Sequence, residues 1–416
     1  VQPGDLIGPV EVGAIAHGGH CVSRVDGRVV FVRHALPGEQ VVLRITEVAS
    51  RFARGDAVEA VVAAPQRVSP PCPVAGRCGG CDFQHVEPAF QAELKRRVLA
   101  EQLHRLAGIE WHGEVEQVPP VLGSRTRMRF VGTGDGRLGL RAHRSHEVVP
   151  LPDDGCRIAH PMMPIELGET PPVELVEAAP APSPVELVET PPAGSRQARS
   201  TGAELRQGRS TEAELLGVVS DQGGRLVASG SAASHDVVTQ RVGERTFEVS
   251  ADGFWQSHLA AAEVLTRAVL QGLQPQPGER AFDLYCGVGV FAGALVDAGC
   301  RVWGVEGNKA AIEHARRNVP PASFFTGDVG RTLRRLPNRA DLVVLDPPRT
   351  GAGKAVMAAV ARLRPRAIAY VACDPAALAR DLGTARGLGY EASEIRGFDL
   401  FGMTHHLEAV AMLTKA

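Results

Sequence analysis

The chain has 416 residues, a net charge of −2 and a pI near 6.7, so no global basic signature marks it as a nucleic-acid binder. Any such contact must come from local patches. The length implies about two or three domains. No signal peptide, apolar spanning run or lipidation motif is read, which points to the cytoplasm and excludes membrane chemistry. There the eight cysteines serve more naturally as ligands or nucleophiles than as disulfides.

Residues 1 to about 63 carry short alternating runs, Arg28 to Val32 and Glu39 to Ile45, with turns at Asp26-Gly27 and Pro37-Gly38. Short strands at this spacing predict a small closed β-barrel. The stretch AHGGHCVSRVDGRVVFVRHALPGE resembles the TRAM domain, an OB-like RNA-binding barrel; the alternative is an unspecialised barrel.

Residues 64–164 read as a second, central domain. It opens with PPCPVAGRCGGCDFQH, in which Cys72, Cys78 and Cys81 form C-x5-C-x2-C beside a flexible Gly-Gly. Three thiols this close can converge on one metal centre. Cys156 is the remaining cysteine before residue 165 once Cys21, in the barrel, is set aside, and it is the expected fourth ligand. Spacing alone admits zinc as well as iron and sulfur. Pro88 to Gly108 predicts a helix with Phe90, Leu94, Val98, Leu103 and Leu106 on one stripe and Lys95, Arg96 and Arg97 off it. Residues 124–150 predict a hairpin or meander. Arg125, Arg127 and Arg129 alternate and so share a strand face, either solvated or phosphate-contacting, with Arg141 and Arg144 following.

Residues 165–216 differ in kind. P-V-E-L-V-E recurs at Pro172 and Pro184, R-S-T-x-A-E-L at Arg199 and Arg209, and aromatics are absent. Such a segment buries too little surface to offset the entropy of ordering, so a disordered insertion is expected. Residues 217–245 read as the remainder of the central domain, with little room left in it.

From residue 246 a doubly wound α/β pattern runs to the end. Strands are expected near 281–285, 301–305, 323–326, 341–345, 367–372, 391–397 and 407–413, and a helix from about Leu259 to Leu273. AFDLYCGVGVF, Ala281 to Phe291, reads as a strand, a glycine turn and a helix start, which leaves backbone N–H groups in a crevice. Glu306 ends the next strand about 20 residues on, where an acid can take two ribose hydroxyls. The missing third glycine argues against NAD. LVVLDPPR places Asp346 at a strand's carboxyl edge, and Arg349 stands where amino-methylating enzymes carry an aromatic. AYVACDPAALARDL places Cys373 at another strand end, and THHLEAVAML places Glu408 at the start of the last strand. A lone cysteine is usually an inert hydrophobe, and Glu408 could merely pair with a histidine. A thiolate adding to C6 of uracil, with a base to remove the C5 proton, is the chemistry that needs both.

In this order the motifs resemble the iron–sulfur, TRAM-containing branch of the bacterial RNA 5-methyluridine methyltransferases, which acts on 23S ribosomal RNA. The likeness spans residues 1 to about 160 and 245–416. It implies a Rossmann-like class I methyltransferase domain behind a TRAM barrel and a small α+β domain carrying a [4Fe–4S] cluster on Cys72, Cys78, Cys81 and Cys156. It implies S-adenosylmethionine (SAM) held by Gln256 of F-x-Q, Tyr285, Glu306, Asp328 and Asp346. It implies Cys373 as nucleophile, Glu408 in H-x-E as general base, and a monomer acting on a flipped uridine. The chain departs from the family at Val290, where a polar side chain is usual, and at Asp374, where asparagine is commoner. Alternatives are a tRNA-directed enzyme, a non-catalytic RNA-binding protein of decayed methyltransferase fold, or a redox sensor.

Overall fold

The computed structural model describes residues 1–133, 135–166, 214–228 and 236–416. The repeats of the expected insertion lie outside the described residues, except Glu214 and Leu215 at the end of the last one.

The first domain is a five-stranded sheet of β1 (Leu6–Glu11), β2 (Cys21–Val25), β3 (Arg28–Arg33), β4 (Gln40–Val48) and β5 (Phe52–Val62), in the order β1-β4-β5-β3-β2. After β1 the chain turns onto β2: Gly13 N donates to the Val22 carbonyl at 2.7 Å and Val22 N to Ala14 at 3.0 Å, so the two edges meet. Alternation turns Val30, Val32, Val41, Leu43 and Ile45 into one core. Phe83, Val86, Leu94 and Val98 of the following segment seal that core.

Helix α1 (Pro88–Gln102) begins with proline at its first turn, where no N–H is missed, and continues as a π-helical turn to a left-handed Gly108. The helix is not the simple stripe expected. Leu106 is exposed, whereas Lys95 is 1% exposed. The cause is burial on two sides: Leu94 and Val98 face the first domain, and Leu99 and Leu103 face the last one. β6 (Val115–Gln117) then joins the last domain's sheet. Residues 88–117, expected within the central domain, thus fasten the other two together.

The central sheet contains β7 (Arg127–Gly132), β8 (Leu138–Arg141), β9 (Val148–Pro150), β10 (Glu214–Ser220) and β11 (Gly223–Ala228), in the order β11-β10-β7-β8-β9. β10 pairs with β7 across the insertion. Glu214, Leu215 and Leu216, expected in the insertion, are therefore strand residues, and the room that looked too small holds two more strands. Arg127 corrects another expectation. It is buried and donates at 2.7 Å to the carbonyls of Ala251 and Gly253, so it braces the chain and faces no phosphate. A hairpin, β12 (Val237–Val242) and β13 (Arg245–Ser250), leads into the last domain.

That domain contains α2 (Ala261–Leu273), β14 (Arg280–Leu284), α3 (Val290–Asp297), β15 (Arg301–Glu306), α4 (Lys309–Asn318), β16 (Ser323–Thr326) and α5 (Val329–Thr332). It continues with β17 (Leu342–Leu345), α6 (Gly353–Arg362), β18 (Ala367–Ala372), α7 (Pro375–Arg386), β19 (Tyr390–Asp399) and β20 (Glu408–Lys415). The sheet order is β16-β15-β14-β17-β18-β20-β19-β6. β14 to β18 run parallel, β20 inserts antiparallel between β18 and β19, and helices cover both faces. β17 and β18 are buried along their whole length, which is why they read as unbroken apolar runs. No helix among the described residues is long and apolar enough to cross a membrane.

Candidate active site

β14 lies where the strand order reverses, between β15 and β17, so a crevice opens at the carboxyl ends of these strands. Tyr285, Glu306 and Asp346 each end a strand there, and Asp328 follows β16. Tyr285 has φ 65°, Gly287 52° and Gly289 92°, a left-handed run that only the glycines adopt freely. The Glu306 carboxylate accepts from Gly287 N at 3.2 Å and Asn308 N at 2.8 Å, which fixes it at the rim. Asp328 caps α5 by accepting from Arg331 N at 2.9 Å. Burial, with Glu306 adding to it, pushes the Asp346 carboxyl up to about 7. Gln256 belongs to the loop between β13 and α2. Its carbonyl accepts from the Thr126 hydroxyl at 3.4 Å, and its side chain makes no hydrogen bond among the described residues.

Asp283 was not anticipated. Wholly buried in β14, it accepts from Ala292 N at 2.8 Å through one oxygen and leaves the other unpaired. Burial pushes it to about 8, and Asp346 and Glu306 add to the shift. It ties β14 to the first turn of α3 across the glycine turn. A carboxylate inside an apolar strand was the signal for it.

Cys373 and Glu408 meet through sheet register. Ala372, the last residue of β18, is paired with Ala409 of β20, so Cys373 one residue past β18 and Glu408 at the start of β20 come near one another and interact electrostatically. Burial pushes the Cys373 thiol to about 11; Glu408 adds to this and Arg349 opposes it. Glu408 is 5% exposed, and burial drives its carboxyl well above the ordinary range, with Asp346 adding and Arg349 again opposing. Arg349, also within 3.4 Å of His406 Nε2, is the cation that favours the charged form of both. A cavity of about 200 Å³ opens onto Cys373, lined also by His17, Arg349, Asp374, His405 and His406.

Three comparisons bear on this arrangement. The TRAM domain model matches residues 8–58, the methyltransferase small domain model 260–372, and the tRNA (uracil-5-)-methyltransferase model 334–416. An uncharacterised RNA methyltransferase of Streptomyces avermitilis is 45% identical over 98% of both chains, and one of Corynebacterium glutamicum is 34% identical over 99% of this chain and 97% of that one. The chain belongs to the TRAM-containing RNA (uracil-5) methyltransferases. It is a SAM-dependent RNA (uracil-C5)-methyltransferase. A tRNA (uracil-54, C5)-methyltransferase of Pyrococcus abyssi, solved with S-adenosyl-L-homocysteine, has the same fold: TM-score 0.67 at 22% identity, covering 98% of this chain and 99% of that one.

In this methyltransferase Cys72, Cys78, Cys81 and Cys156 are all free thiols that influence one another electrostatically, so the chain brings them to one place. Among the described residues, no set of three or more His, Cys, Asp or Glu stands close enough to hold a single metal ion. The surroundings nonetheless fit an anionic centre. Gly80 N points at Cys78 Sγ from 3.4 Å, and the N–H groups of Ile158 and Ala159 point at the Cys156 sulfur. The Arg125 guanidinium faces Cys81 and Cys156, and its Nε is buried without a partner. Gln84 braces the loop by accepting from Cys72 N at 3.1 Å. Gly79 is obligatory, because a Cβ there would lie 2.7 Å from the Arg141 carbonyl.

The cysteine loop touches the catalytic one. Asp82 N and Phe83 N both donate to the Met403 carbonyl at 2.9 Å, and Asp82 Oδ2 lies 2.6 Å from His405 Nδ1. The segment 400–407 leads directly into Glu408. None of these partners shares a local pattern with it, so sequence reasoning had no signal for them.

Proposed function

We propose that this enzyme forms 5-methyluridine in 23S ribosomal RNA, with Cys373 as nucleophile and Glu408 as general base. The observation that carries the reading is the approach of Cys373, just past β18, to Glu408, at the start of β20, beside Arg349. The Cys373 thiolate adds to C6 of the flipped uracil, and C5 becomes enolate-like and takes the methyl group of SAM. Glu408 then removes the C5 proton, and elimination of Cys373 restores the ring. Tyr285, Glu306, Asp328, Asp346 and Gln256 hold SAM, the first four from the sheet edge. Cys72, Cys78, Cys81 and Cys156 hold a [4Fe–4S] cluster, with zinc as the alternative. The cluster acts as a structural clasp, since methyl transfer moves no electrons. The enzyme works as a cytoplasmic monomer.

The cysteine set behind a TRAM domain supports the ribosomal substrate. A tRNA substrate is favoured by the match of residues 334–416 to the tRNA (uracil-5-)-methyltransferase model, while the whole-chain likeness to the Pyrococcus abyssi enzyme speaks for the fold. Nucleoside mass spectrometry of separated 23S rRNA and tRNA, from cells with and without the gene, decides between them. Loss of 5-methyluridine from 23S rRNA is expected. Loss from tRNA alone overturns the substrate, and loss from neither overturns both. For the residue roles, Glu408→Gln should transfer methyl yet remain attached to RNA on a denaturing gel; an adduct-free variant would remove Glu408 from the base role.

A further inference from the structure

One wall of the cavity at Cys373 comes from the other end of the chain. Ile15, His17, Gly18 and Gly19, in the turn between β1 and β2, line it opposite Cys373 and His405. Approach here is close: Gly19 has φ +77°, and a Cβ on it would lie 2.4 Å from Cβ of His405. His17 Nε2 lies 3.0 Å from Asp374 Oδ2. The other oxygen of Asp374 accepts from Ala377 N at 2.8 Å and caps α7, so the contact reaches a residue already fixed at the turn after Cys373.

We propose that His17 is a positioning residue for methyl transfer: through Asp374 it holds the turn that presents Cys373 and closes the nucleotide pocket with the TRAM domain. This rests on Cys373 being the nucleophile. The pairing belongs to this chain's own choice of residues, since asparagine at 374 would offer a hydrogen bond without the charge. RNA held by the TRAM domain and the thiol that attacks it are thereby linked through one contact, so seating the RNA and aligning the nucleophile are mechanically coupled.

The charge state has a definite sign. His17 is raised above its ordinary range by the Asp374 hydrogen bond; burial opposes this, Arg380 on α7 lowers it and Glu101 on α1 raises it. The pair is therefore complete when His17 is protonated and weakens as pH rises through its folded value.

The test compares wild type, His17→Ala, His17→Gln, Asp374→Asn and the His17→Ala/Asp374→Asn double variant. Each is assayed for single-turnover adduct formation with saturating 5-fluorouridine-substituted substrate RNA and SAM, from about pH 6 to about pH 9. SAM affinity serves as the folding control, and 42% exposure of the His17 side chain predicts that it is retained. His17→Ala should slow adduct formation roughly two- to fivefold near pH 6, the reach of a partly exposed ion pair. The wild-type advantage should shrink toward unity as pH rises. His17→Gln should keep part of the rate with no such pH dependence, and the double variant should be no slower than the slower single one. Gly19→Ala should reproduce the slowing with His17 intact. Equal wild-type and His17→Ala rates, a pH-independent ratio, multiplying losses in the double variant, or an unaffected Gly19→Ala would each overturn the proposal. Wild type forming no adduct would instead remove the nucleophile reading, which this design separates from failure of the His17 contact.

Discussion

Lys95 gives the most exacting test of how the catalytic loop is held. Its ammonium is buried and donates to Asp399 Oδ1 and, at 3.0 Å, to the Phe401 carbonyl. Burial pulls the ammonium below its ordinary range, against the attraction of Asp399. Asp399 keeps one further donor, Phe401 N at 3.3 Å, and its Oδ2 is buried with no partner. Lys95→Met would therefore strand a buried carboxylate. Breaking a buried pair from one side costs about 3–5 kcal/mol, whereas replacing both partners by apolar groups is often neutral. The double variant Lys95→Met/Asp399→Leu still leaves the Phe401 carbonyl without its donor, so it should lie about 1–3 kcal/mol below wild type. Urea unfolding followed by tryptophan fluorescence measures this, because Trp111, Trp255 and Trp303 all pack into the methyltransferase cores. A Lys95→Met loss under about 1 kcal/mol, or a double variant as unstable as the single one, would refute the argument that desolvation of Asp399 sets the magnitude.

The remaining expectations concern the site itself. The proposed roles require Cys373 and Glu408 deprotonated, and both sit above their ordinary values, so the single-turnover methylation rate should climb with pH from about 6 to about 9; a flat or falling profile contradicts the assignment. Arg349→Gln removes the cation that opposes both shifts and should slow methyl transfer at least roughly tenfold with SAM affinity unchanged, measured by rapid quench and by SAM titration. Arg127→Met leaves the Ala251 and Gly253 carbonyls without their donor beside the loop that bears Gln256. It should lower stability by about 1–3 kcal/mol and weaken SAM binding several-fold, and unchanged calorimetric affinity would detach Gln256 from the cofactor.

The methyltransferase sheet was legible because central parallel strands must be apolar on both faces. The strand expected near 367–372 is Ala367–Ala372, and that near 301–305 is Arg301–Glu306. The residues at their carboxyl ends were legible for the same reason, since a polar group that ends such a run sits at the crevice. β6 escaped because three residues carry no period, and its place depends on pairing with Gly397 to Asp399. Lys95 lies off the apolar stripe by sequence, and nothing in the helix's own period marks it as buried. Its partner Asp399 lies 304 positions away, and no local pattern reports that. Arg127 misled in the same way: alternation gave a shared face, but whether an arginine on that face meets phosphate or main-chain carbonyls depends on the segment packed against it.

The Lys95 contact belongs to a larger convergence. The segment 400–407, between β19 and Glu408, is held by Gln91 Oε1 accepting from Met403 N at 2.8 Å, by Lys95 on the Phe401 carbonyl and by Asp82 beside His405, and Gly19 sits against it. Helix α1, the cysteine loop and the first domain therefore all converge on the eight residues before Glu408. Cys373 follows a buried strand that β17 and β20 fix on both sides, so only its turn, capped by Asp374, is left to hold. Glu408 is different, since the long link that precedes it could shift its register against Cys373. Holding that link from three sequence-distant elements sets the spacing between the two groups, and it makes the spacing depend on docking of the parts of the chain outside the sheet. The Rossmann-like sheet supplies the cofactor edge and the thiol; the position of Glu408 relative to that thiol is a property of the whole assembled chain.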